Sequence, residues 1–235
     1  APIPNVAGST SLAGFGIAGM VSYDPRQLIS DGVLELVRNP NADVLIKDWN
    51  VQEDVVTAFV KVGVSTSIGE IPVLGTADDE SYFKLIGKNC GVFVALENPT
   101  ERKKMIELIL EEREVKPVNA IHPTANIADV KSLAYGVFIG SGAQILPETK
   151  LGDHVIIGSG AIVETGAQIA DFASIGAGSV IGKEAIVENN AYVGIHSTIV
   201  GSVKVGKSAT VGAGSVVIEN VAASKRVFGN PAKAL

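Results

Sequence analysis

Every sixth residue from Ile127 to Val217 is Ile, Leu or Val, sixteen positions without a break. An α-helix repeats its apolar face near every 3.6 residues and a strand near every 2. A sustained period of six therefore describes short strands separated by turns. The other columns of the repeat fit that reading. Gly follows the aliphatic residue eight times, at 140, 152, 158, 176, 182, 194, 206 and 212, where the repeat predicts corners that need positive φ. Two residues before the aliphatic stands Ala, Ser or Thr at twelve of the sixteen places, a small side chain for a tight corner. Three hexads make a triangular coil, so residues eighteen apart stack at about the ~4.8 Å spacing of paired strands. Ile127, Ile145, Val163, Ile181, Ile199 and Val217 are predicted to form one interior column.

This architecture is a parallel β-helix, and hexads of this type resemble the left-handed kind. The handedness comes from that resemblance and not from the periodicity, because ordinary crossovers are right-handed.

Charge limits the partners. Residues 1–115 hold ten Lys or Arg against seventeen Asp or Glu, and residues 116–235 hold nine against eight. An acidic first half and a near-neutral second half argue against nucleic acid, which is bound through clustered cations. With 46% hydrophobic residues and 19% charged ones the chain can bury a sizeable core. No apolar run approaches a membrane span. The single Cys90 excludes an internal disulfide framework and any cysteine-based metal site, and fits a reducing cytoplasm. The uncharged start, Ala1 to Ser22, lacks the basic region of a secretion signal and is expected to be part of the first domain.

The first half reads as alternating strands and helices. Strands are expected at Val44–Ile46, Ile71–Leu74, Gly91–Leu96 and Val118–Ile121, and helices at Asn50–Val62 and Pro99–Glu112. The second helix opens on Pro99-Thr100 and carries a wide apolar stripe of Met105, Ile106, Leu108, Ile109 and Leu110. The expected fold is mixed: a small α/β domain, Rossmann-like with a parallel sheet, over residues 1–116, then the β-helix over 117–235.

Several landmarks resemble one family. They are Pro72-Val73-Leu74-Gly75-Thr76, Phe93-Val94-Ala95 followed by Arg102-Lys103-Lys104, Ile121-His122-Pro123-Thr124-Ala125, and the terminal Gly229-Asn230-Pro231-Ala232-Lys233. With the coils, they are similar to the two-domain sugar acetyltransferases related to the sialic acid O-acetyltransferase and the bacillosamine N-acetyltransferase. The hexads alone imply only the wider acyltransferase fold. The resemblance implies a homotrimer with acetyl-CoA between neighbouring helices, and a first domain that holds the nucleotide of a UDP- or GDP-linked amino sugar.

Residue by residue, the resemblance carries over unevenly. Gly194, Ile195 and Ala213 match positions that line the pantetheine groove. Gly229, Pro231 and Lys233 lie in the segment that closes over the cofactor, and Lys225, Arg226 and Lys233 are placed to face its phosphates. On the acceptor side, Gly14 and Gly16 in Gly-Phe-Gly-Ile-Ala-Gly stand for the family's Gly-rich turn, and Asp48 for an acidic pair beside the base. Glu97 occupies a place usually held by Gly. Such transferases use a His as general base. Alignment of the coils puts Thr165, beside Gly166, at one expected His and Ser174 at a second, and none of these accepts a proton near neutral pH.

Three histidines remain. His122 reads as structural. His154 and His196 both lie three residues past an interior aliphatic and are expected to face outward at corners, with His196 the candidate base beside the groove. Glu164 is a second candidate, given a raised pKa. The zinc site of a γ-type carbonic anhydrase needs paired His spacing that His154 and His196 lack, so no metal is expected. Two functions follow: a CoA-dependent acetyltransferase acting on a nucleotide-linked amino sugar or similar amine or hydroxyl, or a non-catalytic trimeric β-helix that lost the catalytic His. Tyr135, Phe138, Phe172 and Tyr192 are the candidate trimer contacts.

Overall fold

The structure is a computed structural model that describes residues 15–17, 56–60, 67–68, 71–76, 92–94, 96, 99–129 and 133–235. The chain divides into two compact units that meet at Pro123 and Thr124.

In the first unit β1 (Phe15–Ile17) pairs in parallel with β2 (Val56–Val60), and β2 in parallel with β4 (Ile71–Thr76). The short β3 (Ser67–Ile68) runs antiparallel to β4. Two expectations change here. Asn50–Val62 was expected as a helix, but 56–60 is a strand, in keeping with the β-branched Val56, Thr57 and Val60 beside Phe59. The Gly-Phe-Gly segment, expected as a turn, contributes Phe15–Ile17 as a strand, which places Gly16 within the sheet. Val92, Phe93 and Val94 are buried but belong to no strand. Val44–Ile46, Gly14, Asp48, Cys90 and Glu97 lie outside the described residues.

The helix α1 (Pro99–Arg113) forms where the sequence places it. Pro99 supplies a first turn that needs no N–H, with Glu101 in the first turn and Arg113 in the last suiting the helix dipole. Its buried stripe is narrower than expected. Arg102, Ile106 and Ile109 are buried, whereas Leu108 and Leu110 are exposed. Arg102 is tolerated inside because its Nη1 donates to the carbonyl of Leu96 at 2.7 Å. After α1, the segment expected as a strand over 118–121 is reduced to β5 (Ala120–Ile121).

The second unit is a three-sided parallel β-helix. Two-residue strands run from β6 (Asn126–Ile127) to β20 (Val216–Val217), and each of them up to Thr198–Ile199 pairs in parallel with the strand eighteen residues on. The first face stacks Ile139, Ile157, Ile175, Val193 and Val211. The second stacks Ile127, Ile145, Val163, Ile181, Ile199 and Val217, the column predicted from the period. The third stacks Leu151, Ile169, Val187 and Val205. Most of these aliphatics are wholly buried, and each contributes about 1.5–3 kcal/mol of hydrophobic burial. The helix ends in a hairpin: β21 (Arg226–Gly229) pairs in parallel with the Thr210–Val211 strand and antiparallel with β22 (Ala232–Ala234).

The corners differ from the expectation in an informative way. Positive φ does not fall on the Gly that follows the aliphatic. It falls two residues later, at every sixth residue from 136 to 214, where Gly136, Gly142, Gly160, Gly166, Gly178 and Gly214 alternate with non-glycines such as Glu148, His154, Phe172 and His196. The glycines after the aliphatics serve a different purpose. A Cβ on Gly158 would stand 2.5 Å from the Ala177 nitrogen, and one on Gly176 would stand 2.5 Å from the Ile195 nitrogen. The next coil passes too close for any side chain. The column before the aliphatics is as predicted: Ala143, Ala161, Ala167, Ala173 and Ala185 are buried small residues inside the corners.

Candidate active site

The corner between the first and second faces is unlike the other two. Five successive coils cross it as Gly140-Ser-Gly-Ala143, Gly158-Ser-Gly-Ala161, Gly176-Ala-Gly-Ser179, Gly194-Ile-His-Ser197 and Gly212-Ala-Gly-Ser215. Glycine occupies the first place in all five, and among these twenty residues His196 is the only titratable side chain. The corner between the second and third faces carries Glu164, Lys183, Glu184 and Glu219 instead, and the remaining corner carries Asp153, Asp171, Glu188 and Lys207.

His196 takes the positive-φ position of its coil, with φ of 52°, and is exposed. Its backbone N–H donates to the Ala177 carbonyl at 2.9 Å, and the Gly214 N–H donates to the Ile195 carbonyl at 2.8 Å, so three coils are tied together at this corner. Ile195 beside it is 50% exposed, an apolar side chain left in solvent. The corner is firm underneath because of a serine ladder. Ser179 Oγ donates to the Gly194 carbonyl at 2.8 Å and accepts from the Ser197 N–H at 3.2 Å, while Ser197 Oγ donates to the Gly212 carbonyl at 2.9 Å. Ser215 Oγ continues the ladder by accepting the Gly229 N–H at 3.1 Å. The terminal hairpin is thereby fastened to the same corner, and Phe228, 55% exposed, lies against Gly212.

The residues picked from sequence divide into three groups. Gly194, Ile195, His196 and Ala213 meet at the glycine corner, and Gly229 reaches it through Ser215. Pro231, after the cis Asn230–Pro231 bond, and Lys233, opposite Phe228, sit in the hairpin. Glu164 and Thr165 lie at the corner between the second and third faces, so a single chain does not bring Glu164 to His196. Ser174, at the second expected His position, opens a strand of the first face and is buried.

His154 departs furthest from its expected outward position. It shares the corner geometry of His196 with φ of 59°, but it is only 7% exposed. Its ring packs between Gly136 of the preceding coil and Phe172 of the next. Phe172 and Phe138, expected as trimer contacts, are likewise engaged within the chain: Phe172 stacks on His154, and Phe138 is buried. The sequence reading missed the serine ladder, although Ser179, Ser197 and Ser215 recur at the eighteen-residue spacing of one coil. Among the described residues no group of His, Cys, Asp or Glu could hold a metal ion, and no helix is long and apolar enough to cross a membrane.

Residues 136–165 and 148–183 match the family model described as bacterial transferase hexapeptide (six repeats). Residues 136–183 thus carry a repeat similar to that of the bacterial hexapeptide transferases. The hexapeptide coils, with the fold they build, are those of the left-handed β-helix. No curated protein matches the chain. Among solved structures, perosamine N-acetyltransferase from Caulobacter crescentus matches with a TM-score of 0.78 at 24% identity, covering 94% of this chain and 97% of that one. It was solved in complex with CoA and GDP-perosamine, in one case with a His replaced by Asn. The acetyltransferase domain of PglB from Neisseria gonorrhoeae gives a TM-score of 0.77 at 20% identity, over 94% of this chain and all of that one. WeeI from Acinetobacter baumannii gives 0.51 at 20% identity, with the same coverage. At these identities the likeness is one of fold.

Proposed function

We propose that this protein transfers an acetyl group from acetyl-CoA to an amine or hydroxyl of a nucleotide-linked amino sugar or a similar small acceptor. The observation that carries the reading is the placement of His196: the single titratable side chain in a glycine corner that five coils keep free of charge. The chain-long likeness in fold to an N-acetyltransferase solved with CoA and a GDP-linked sugar supports the choice of donor and acceptor.

In this reading the donor's pantetheine arm lies along Gly194, Ile195 and Ala213, where backbone amides and apolar walls suit a long uncharged chain. Gly229, Pro231 and Lys233 of the hairpin border the same groove, and Lys225 and Arg226 supply positive charge for phosphates. His196 takes the proton from the acceptor nitrogen or oxygen as that atom attacks the thioester carbonyl, and the CoA thiolate departs. Glu164, at a different corner, is not needed for this step. The first unit, with Gly14, Gly16 and Asp48, is assigned the nucleotide part of the acceptor, and 1–116 and 117–235 are the corresponding domains. Homotrimerisation and a cytoplasmic location complete the proposal. The second face is the candidate interface, since its outward column of Asn126, Gln144, Ile162, Val180, Thr198 and Val216 holds no charge over six coils.

Calorimetry with acetyl-CoA tests the proposal. Heat of binding at up to about 1 mM ligand, the upper end of ordinary enzyme affinities, together with turnover that falls in His196→Ala, supports it. No heat and no thermal shift at that concentration overturns it. Binding without turnover against any sugar nucleotide would leave the non-catalytic scaffold as the reading.

A further inference from the structure

The two corner histidines are seated alike. His154 lies over Gly136 and His196 over Gly178, in each case a glycine eighteen residues earlier at the same place in the preceding coil. A Cβ added to Gly178 would come within 2.6 Å of both Nδ1 and Cε1 of His196, so the imidazole occupies the volume that any side chain at 178 would need. On the other side, a Cβ on Gly214 would meet nothing within 4 Å. The difference between the two sites is the cover. Phe172 closes over His154, which is buried, whereas Gly214 stands at the corresponding place above His196, which is exposed.

We propose that Gly178 is the positioning residue for His196: it provides a side-chain-free seat that holds the imidazole against the corner of the preceding coil, while Gly214 leaves the next corner clear for a reacting group. The functional part of this inference rests on His196 acting as the proton acceptor. Its chemistry is simple. A solvent-exposed imidazole on a free corner samples several rotamers, and one that fills a vacant Cβ site is held by contact on one side. A base gains from being held, since misplacement by about 1 Å costs on the order of 100-fold in rate.

The corner column contains its own control. Gly178 and Gly160 both have φ of 65°, but a Cβ on Gly160 meets nothing within 4 Å. Gly178→Ala and Gly160→Ala therefore pay the same backbone cost, and only the first displaces the ring. The experiment compares the two variants by imidazole NMR of His196 and by steady-state kinetics with acetyl-CoA. The expected result is shifted His196 resonances in G178A alone, with kcat reduced on the order of 10- to 100-fold and KM for acetyl-CoA little changed. His196 resonances that are the same in both variants overturn the seat. If neither alanine variant folds, Gly178→Asn and Gly160→Asn repeat the comparison, because Asn tolerates the left-handed region. The two readings fail separately. If His196→Ala retains full turnover, the role of His196 as base is lost, yet the resonances still decide whether Gly178 positions the ring.

Discussion

The ring of His154 lies 4.9 Å from that of Phe172, centroid to centroid, with the planes inclined by 36°. Both residues hold the positive-φ corner of their coils, eighteen residues apart, so the contact is a product of the repeat itself. Phe172→Ala keeps the Cβ and the backbone conformation and removes only the ring. It is expected to lower stability by about 1–2 kcal/mol, the worth of an aromatic contact plus some lost burial, as read by urea unfolding. No loss of stability would show that the stack contributes nothing.

Ile175 is wholly buried between Ile157 and Val193 on the first face. A coil in the middle of a β-helix cannot close over a void without breaking its ladders on both sides. Ile175→Ala is therefore expected to cost about 2–5 kcal/mol, measured by chemical denaturation. The outward Ile186 of the third face should tolerate the same change with little effect.

Glu188 accepts from Lys204, whose Nζ lies 2.6 Å from its carboxylate, and from the Lys207 backbone N–H at 2.8 Å. The hydrogen bond from Lys204, then that from Lys207, holds its pKa below the ordinary glutamate value. A depressed carboxylate contributes stability above its unfolded pKa and loses it as pH falls through the folded value. An NMR titration should give Glu188 a midpoint below that of an ordinary glutamate, and Lys204→Gln should raise it. The site is solvent-exposed, so the melting temperature should hardly respond. A Glu188 midpoint unmoved by Lys204→Gln would contradict the pairing.

Ser215 Oγ is the acceptor for the Gly229 N–H at 3.1 Å, where the serine ladder meets the hairpin. Ser215→Ala removes that acceptor and leaves the Gly229 amide to solvent. Hydrogen exchange at Gly229 should accelerate while the amide of Gly194, bonded to Val211, stays protected. Equal protection of Gly229 in both proteins would mean that the hairpin is held by other contacts.

The period of six was enough to place the interior columns, because burial acts on every aliphatic alike and the spacing of eighteen follows from three sides. It was not enough to assign the corners. Gly158 and Gly176 look in sequence like residues chosen for φ, and they are instead required by the backbone of the next coil. His154 and His196 are indistinguishable in the hexad, and only the residue eighteen positions later, Phe172 or Gly214, decides which is buried. Pattern reading failed most at 56–60, expected within a helix, where β-branched Val56, Thr57 and Val60 instead favour a strand that pairs with two others distant in sequence.

The uncharged second face leads to the last expectation. Val180 points outward from it, between Ile162 and Thr198, while Ile181 beside it points into the core. If three copies associate through this face, a lysine at 180 places an unpaired charge in each interface, where desolvation opposes association. Within one copy the same lysine stays in solvent, so the coil itself is not disturbed. Val180→Lys should therefore convert a trimer to monomers in light scattering at micromolar concentration, with the unfolding transition of the β-helix retained. Lys183→Glu, at the charged corner after the second face, should leave the assembly as it was. A wild-type protein that scatters as a monomer, or a Val180→Lys variant that remains trimeric, would remove the second face from consideration.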